Sequence, residues 1–343
     1  MAATTFPAKN WNRVTPADVS MNPEKLDRAG QWLAHHATEG RYRGLVLRRG
    51  CIAAEWYGGV APDEQLGLAS SAKSIYSCVL GIAIKEGTIS SADARLADLF
   101  PEALDVPPGT GPKSGRHAFD KDSEITLRQL ISNTSGYMKP GENPGTVFHY
   151  QTFGMNVIAH SIAKAYGLYD VGDPDGSPGI ARLIDEWLRE PIGGSWGYRV
   201  KNFQHPPQAR TETFGYYTDL LITTHDMARL GWLWLNWGRW RDRQVIPEGW
   251  LREATQTAPA IRKHCPRRQW KYGYAFWTNS HDELVPGLPT DSYAALGAGG
   301  TMIWVCPSLE LVVALNPGLD LTHDDDSLNH GKGFLRLIVE ACM

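Results

Sequence analysis

Ser70 and Lys73 stand three residues apart at the head of the most apolar stretch of the chain, Leu68 to Gly87. Residues i and i+3 share a helix face, so the hydroxyl and the amine can meet. A serine hydroxyl attacks a carbonyl only when a neighbouring base takes its proton. A lysine drawn into a dry interior loses basicity until its neutral amine can be that base. Positions 75 to 84 are apolar except Ser77 and Gly81, the pattern of a helix buried on every side. Lys85 and Gly87 supply the stop signal, and Ser70 and Ser71 are natural N-caps. The free N–H groups of a helix start favour negative charge developing beside them. Ser70 is the candidate nucleophile and Lys73 the candidate base.

Two other serines compete. Ser161 and Lys164 repeat the spacing, but inside a helical pattern from Gly154 to Tyr166, where the N–H groups are already used. Gly193-Gly194-Ser195-Trp196-Gly197 matches the Gly-x-Ser-x-Gly elbow of α/β-hydrolases, which must join a strand to a helix. A helical pattern precedes it, Ile180 to Arg189, and none follows over Val200 to Pro207, so a glycine-rich turn is expected. Tyr150 lies where a loop runs into a helix, and Leu296-Gly297-Ala298-Gly299-Gly300-Thr301 is a strand segment another backbone could approach closely. Alone, a tyrosine usually only packs and glycines usually only bend a strand.

The elements that must position these residues follow from periodicity. Asn22 to His36 reads as an amphipathic helix, and Gly44 to Arg48 and Ile52 to Tyr57 as strands joined at Arg49-Gly50. From Ser91 to Pro144 the chain is loop-like except for a short helix, Thr126 to Ser132. Helical patterns dominate to Thr255: Met155 to Tyr166, Ile180 to Arg189, Thr224 to Leu235 and Glu248 to Ala254. Strand patterns return at Trp270 to Thr278, Tyr293 to Leu296, Thr301 to Cys306 and Leu309 to Leu315, before a closing helix from about Leu328 to Cys342. The predicted fold is α/β (α+β): an antiparallel sheet built from both chain ends and flanked by helices, with an inserted, mostly α-helical lobe. The expected boundaries are residues 1–90 and 265–343 for the sheet lobe and 91–264 for the insertion.

Composition narrows the function classes. The 343 residues, 42% hydrophobic and 21% charged, can bury a large core. A net charge of -3 gives no general pull toward nucleic acid or an anionic membrane, and neither is an expected partner. The longest apolar run is too short to span a bilayer. Met1 to Arg13 lacks the basic start and apolar core of a secretory signal, so a cytoplasmic protein, or one whose signal has been removed, is expected. Five scattered cysteines form no Cys-x-x-Cys or Cys/His spacing, and the acidic run Asp324 to Asp326 lacks calcium-loop spacing, so no metal is expected. The tryptophans at 232, 234, 237, 240 and 250 could bind a sugar, but packing is the commoner reason.

Taken together, Leu68-Ala-Ser-Ser-Ala-Lys-Ser74, Ile125-Thr-Leu-Arg-Gln-Leu-Ile-Ser-Asn-Thr-Ser-Gly136, Phe148-His-Tyr150, Thr224-His-Asp-Met-Ala-Arg-Leu-Gly231 and Gly297-Ala-Gly-Gly300 with Ile303-Trp-Val-Cys-Pro307 resemble the serine β-lactamase and penicillin-binding-protein superfamily. The likeness is to its class C-like branch of esterases, amide hydrolases and transacylases, in the family's order from about residue 22 onward. It implies Ser70 as nucleophile, Lys73 as proton acceptor and Tyr150 as the proton shuttle to the leaving group. It also implies the backbone N–H groups of Ser70 and Ala298 as an oxyanion hole, with no cofactor. His149, Thr152, Ala295, Gly297 and Gly299 would line the substrate site.

Thr152 and Ala295 depart from the family. They stand where many β-lactamases carry an asparagine for the acylamide and a lysine or histidine for the carboxylate. The implied activity is therefore a serine hydrolase acting through an acyl-enzyme on a small ester or amide. A transacylase that passes the acyl group to an alcohol or amine, and a catalytically silent binding protein, remain alternatives. Oligomeric state has no signature here. Losing a charged hydrogen-bonding partner costs about 1.5–3 kcal/mol. The expected outcome is a higher kcat/KM on a neutral short-chain ester than on a chromogenic cephalosporin, and a gain on the cephalosporin from Ala295→Lys. The reverse order in the unmodified protein would overturn that reading of the strand.

Overall fold

Arg49 and Gly50 both take positive φ (51° and 77°), the backbone of a tight hairpin turn whose twist matches its strands. That turn joins the first two strands of a sheet completed by the other end of the chain. The computed structural model describes residues 5–8, 10–321 and 330–342. In order, the chain forms α1 (Pro23–His36), β1 (Tyr42–Arg48), β2 (Cys51–Gly58), β3 (Leu66–Gly67) and α2 (Ala72–Lys85). Next come α3 (Leu96–Leu99), α4 (Leu127–Ile131), α5 (Phe153–Ala165), α6 (Gly179–Ile184), α7 (Glu190–Ile192), β4 (Gly197–Asn202), α8 (Thr211–Phe214), β5 (Tyr216–Ile222) and α9 (Thr224–Leu235). The remainder is β6 (Arg239–Trp240), β7 (Arg243–Gln244), α10 (Glu248–Ala254), α11 (Pro259–His264), β8 (Trp277–Thr278), β9 (Tyr293–Gly297), β10 (Thr301–Cys306), β11 (Leu311–Leu315) and α12 (His330–Ala341).

Among the described residues the main sheet runs β2-β1-β11-β10-β9-β8, antiparallel throughout. Gly44 to Arg48 pair with Leu315 to Leu311, which closes the two chain ends on each other. Alternation along each strand divides the core in two. Val46, Val313 and Trp304 face α1 and α12, with Leu33, Phe334 and Ile338. Leu45, Val312 and Ile303 face α2 and α9. Trp232 and Trp234 are buried, and Trp234 meets Phe276 edge-on at 5.1 Å, so these indoles pack.

The structure corrects two of the expected elements. A second sheet, β3-β5-β4, has two of its strands, β4 and β5, within the stretch read as helical. Helix α9 packs chiefly on β11, β10 and β1 of the main sheet, and more lightly on α7 and β6. Of Trp270 to Thr278, only the last two residues form a strand, because the preceding residues bend through a bridge between Tyr272 and Trp277. Asp324 to Asp326 and Leu328 lie outside the described residues. Among the described residues no helix is long and apolar enough to cross a membrane, and no group of three His, Cys, Asp or Glu could hold a metal ion.

Helix α2 is buried from Ala72 to Ala83, and Gly81 is the point where the Trp250 ring rests on its backbone. A Cβ there would overlap the indole. Gly81→Ala gains about 1 kcal/mol of helix propensity but forces that ring aside, a typical overpacking cost of about 1–3 kcal/mol. Urea denaturation should show no gain and up to about 2 kcal/mol of loss, whereas a stabilised variant would contradict this packing.

Candidate active site

Ser70 sits in a single 3-10 turn, residues 69–71, that leads into α2. It does not cap the helix, and neither does Ser71. Ala69 before it takes φ 48°, an uncommon conformation for a residue with a Cβ. The turn leaves the Ser70 side chain partly exposed, while Lys73 is 1% exposed. Lys73 Nζ lies 2.6 Å from Ser70 Oγ. Burial pushes the amine down from its ordinary 10.5 to about 7; Asp219 pulls upward and Lys201 adds a smaller downward push. The aromatic faces of Tyr150 and Tyr217 stand 5.3 and 5.4 Å from Nζ.

Tyr150 reaches the pair from a separate segment. Burial pushes its hydroxyl up to about 12, and the nearby Ser70 side chain opposes that shift. At neutral pH it is a phenol, able to relay a proton and not to serve as the resting base. Asn133 holds it in place. Helix α4 begins with Thr126 and Gln129 capping each other reciprocally, and after it the chain turns at Asn133 with φ 57°. The Asn133 carbonyl accepts from His149 N at 2.9 Å, and its side-chain oxygen accepts from Gln151 N at 3.0 Å. Its amide donates to Tyr272 Oη at 3.1 Å. Tyr150 is thus gripped on both sides, with Trp277 at 5.7 Å and Tyr272 edge-on at 5.9 Å around its ring.

The third contributor is the end of β9. Gly297 lies so close to the serine turn that a Cβ would stand 3.0 Å from Ser71 N and overlap the Leu68 carbonyl. Ala298 follows and is exposed. Strand alternation puts Ala295 on the same face of β9 as Gly297, toward α2, with no exposed surface. Its methyl group has no open surface, so a lysine there would have to displace neighbours on the α2 side. Gly299 lines a different recess with His36, Leu66 and Pro317. His149 is exposed and pairs with Glu142 Oε1 at 3.0 Å, and Thr152 starts α5 without capping it.

The rival serines are occupied. Ser161 Oγ donates to Val157 O at 2.8 Å inside α5. Ser195 lies between α7 and β4, a helix-to-strand turn, with its backbone N and Oγ each 3.2 Å from Asp226 Oδ2. The residues missed by sequence reading are Asn133, Tyr217 and Asp219. The run Tyr216-Tyr217-Thr218-Asp219-Leu220-Leu221-Ile222, aromatic and β-branched in part, carried the strand signal that could have found the last two.

The site is a serine turn at the head of a buried helix, set against an antiparallel sheet that both chain ends build. The β-lactamase family model matches residues 30–330, and the chain belongs to that family. Among curated proteins none matches it in sequence. Among solved structures it is similar to a family VIII carboxylesterase (TM-score 0.65, 15% identity, covering 93% of this chain and 97% of that one). It is likewise similar to the simvastatin synthase of Aspergillus terreus (0.64, 13%, 93% and 98%). A penicillin-binding-protein homologue from Caulobacter crescentus has a TM-score of 0.64 at 14% identity, over 94% of this chain and 99% of that one. At 13–15% identity these likenesses are likenesses of fold.

A fluorophosphonate probe should label Ser70 alone, since only its hydroxyl is partly exposed against a buried amine. Peptide mapping that places the label on Ser161 or Ser195 would contradict this geometry.

Proposed function

We propose that the protein is a serine hydrolase that forms an acyl-enzyme at Ser70 on a small, uncharged ester or amide. The observation that carries this reading is the 2.6 Å contact between Ser70 Oγ and a lysine amine buried to 1% exposure. An amine with its pKa near 7 is neutral in a large fraction of molecules at neutral pH. Its lone pair takes the Ser70 proton while Oγ forms a bond to the carbonyl carbon, and the carbonyl π electrons move onto oxygen. The backbone N–H groups of Ser70 and Ala298 are the donors for that oxyanion, each worth about 3–4 kcal/mol in such a site. As the tetrahedral species collapses, the Tyr150 phenol gives its proton to the departing oxygen or nitrogen and regains one from the Lys73 ammonium. Water then cleaves the Ser70 ester by the same steps in reverse.

Substrate class follows from the walls. Tyr150, half-buried, lies beside Lys73 with Trp277 5.7 Å from its ring. Phe203, 41% exposed, stands 6.0 Å from the ring of Tyr217, which also faces Lys73. Such faces favour an apolar or aromatic acyl group. The similarity to simvastatin synthase supports acyl transfer to an alcohol or amine as the second reading.

The test is a panel of p-nitrophenyl esters and anilides, run with and without added amine. Ester turnover is expected, with kcat/KM rising as pH increases through about 7, because Lys73 must lose its proton. Lys73→Ala and Tyr150→Phe should each lower kcat about a hundredfold or more in a folded protein. Lys73→Arg should not restore it, since guanidinium stays protonated. Acyl transfer to the amine exceeding hydrolysis would favour the transacylase, and no turnover or labelling at all the silent binding protein.

A further inference from the structure

Ala69 precedes the candidate nucleophile, and both of its backbone polar groups are held by side chains of β5. Its N–H donates to Asp219 Oδ1 at 2.9 Å, and its carbonyl accepts from the Tyr217 hydroxyl. Residues 217 and 219 point to the same face of a strand, so one strand grips the turn twice. Register fixes where the grip falls: Gly67 pairs with Leu221, and Leu68 N donates to Leu220 O at 2.9 Å. The chain then leaves the ladder at Ala69, with φ 48°. A side-chain carboxylate takes over the hydrogen bond that a strand backbone would have supplied.

Asp219 is itself built in. It is 0% exposed, and a buried carboxylate needs partners to remain charged. Arg199, its cross-strand neighbour on β4, donates to Oδ2 at 2.8 Å, and Lys201 Nζ lies 3.7 Å from the same oxygen. A Cβ on Gly67 would stand 2.6 Å from Asp219 Oδ2 and 2.7 Å from Arg199 Nη2, so the pair fits only over a glycine.

We propose that Asp219, with Tyr217, is a positioning residue of the site: it fixes the Ala69–Ser70 turn and so sets where Ser70 Oγ meets Lys73. Arg199 and Lys201 hold its charge in place. The inference rests on the reading of Ser70 as nucleophile and adds to it a device outside the serine–lysine–tyrosine set. The carboxylate has a second effect. The groups facing Lys73 are Ser70, Tyr76 on its own helix, Tyr150, Tyr217, Asp219 and Lys201, of which Asp219 and Lys201 carry opposite charges. Asp219 favours the Lys73 ammonium and Lys201 opposes it. Tyr76 is fixed by its hydrogen bond to the Thr218 carbonyl, and Arg199 points to Asp219.

Three variants separate grip from charge. Asp219→Ala removes both, Asp219→Asn keeps an oxygen for the Ala69 N–H, and Lys201→Met removes only the opposing cation. Two readouts are used: hydrogen exchange of the Ala69 amide, and the pH dependence of fluorophosphonate labelling at Ser70. Asp219→Ala should lose protection at Ala69 while α2 keeps its own, and should label roughly ten- to a hundredfold more slowly. Asp219→Asn should move the ascending limb of labelling to lower pH, and Lys201→Met should move it to higher pH. Ala69 protection unchanged in Asp219→Ala, or an unchanged rate and limb in both Asp219 variants, would overturn the proposal. Loss of Ala69 protection beside a wild type that never labels Ser70 would overturn the acyl-enzyme reading and leave the grip standing.

Discussion

Everything in the site depends on keeping one lysine dry. Lys73 is enclosed by α2, by the rings of Tyr150 and Tyr217 and by the serine turn, and burial dominates its proton affinity. A fall from 10.5 to about 7 corresponds to roughly 4–5 kcal/mol at about 1.36 kcal/mol per unit. The sign follows from linkage. The unfolded chain binds the proton up to about 10.5 and the folded chain only to about 7, so folding pays this penalty in full below pH 7. Stability from this group rises with pH across that interval. A protein with ordinary marginal stability keeps such a residue only against the packing of a large core.

Enclosure also explains why three separate chain segments meet at Ser70. The start of α2 supplies Ser70 and Lys73, the Asn133-braced loop supplies Tyr150, and β9 brings Gly297 and Ala298 alongside. Each is fixed by backbone or buried polar contacts, so the reacting groups meet without relying on long flexible side chains. Burial then divides the work between two groups that would otherwise titrate close together. The amine is pushed down to about 7 and the phenol up to about 12, which makes one a base and the other a proton carrier at the same pH.

Much of this was legible in the chain because it depends on local pattern. The all-round apolar run of α2, the Arg49-Gly50 turn and the strands at both ends each carry their own periodicity. Ser161 and Ser195 could be set aside because each lacked the helix start the chemistry needs. The second sheet was not legible, since β3 has two residues and β4 is exposed and charged, so neither alternates strongly. With that sheet went Tyr217 and Asp219, whose roles depend on pairing across some 150 residues. Asn133 read as a helix stop, and its grip on Tyr150 arises only when the 144–152 loop folds back. Ala295 was placed on the cleft by resemblance, and whether a side chain there is open to substrate depends on packing, which leaves its methyl group with no exposed surface.

The most direct measurement is the titration of Lys73 itself, followed by nitrogen NMR of its labelled amine in the folded, unmodified protein. The account predicts a midpoint near 7, with the Tyr150 hydroxyl still protonated throughout that range. A Lys73 amine that remains protonated to pH 10 would contradict it, because Ser70 would then face an ammonium and have no base.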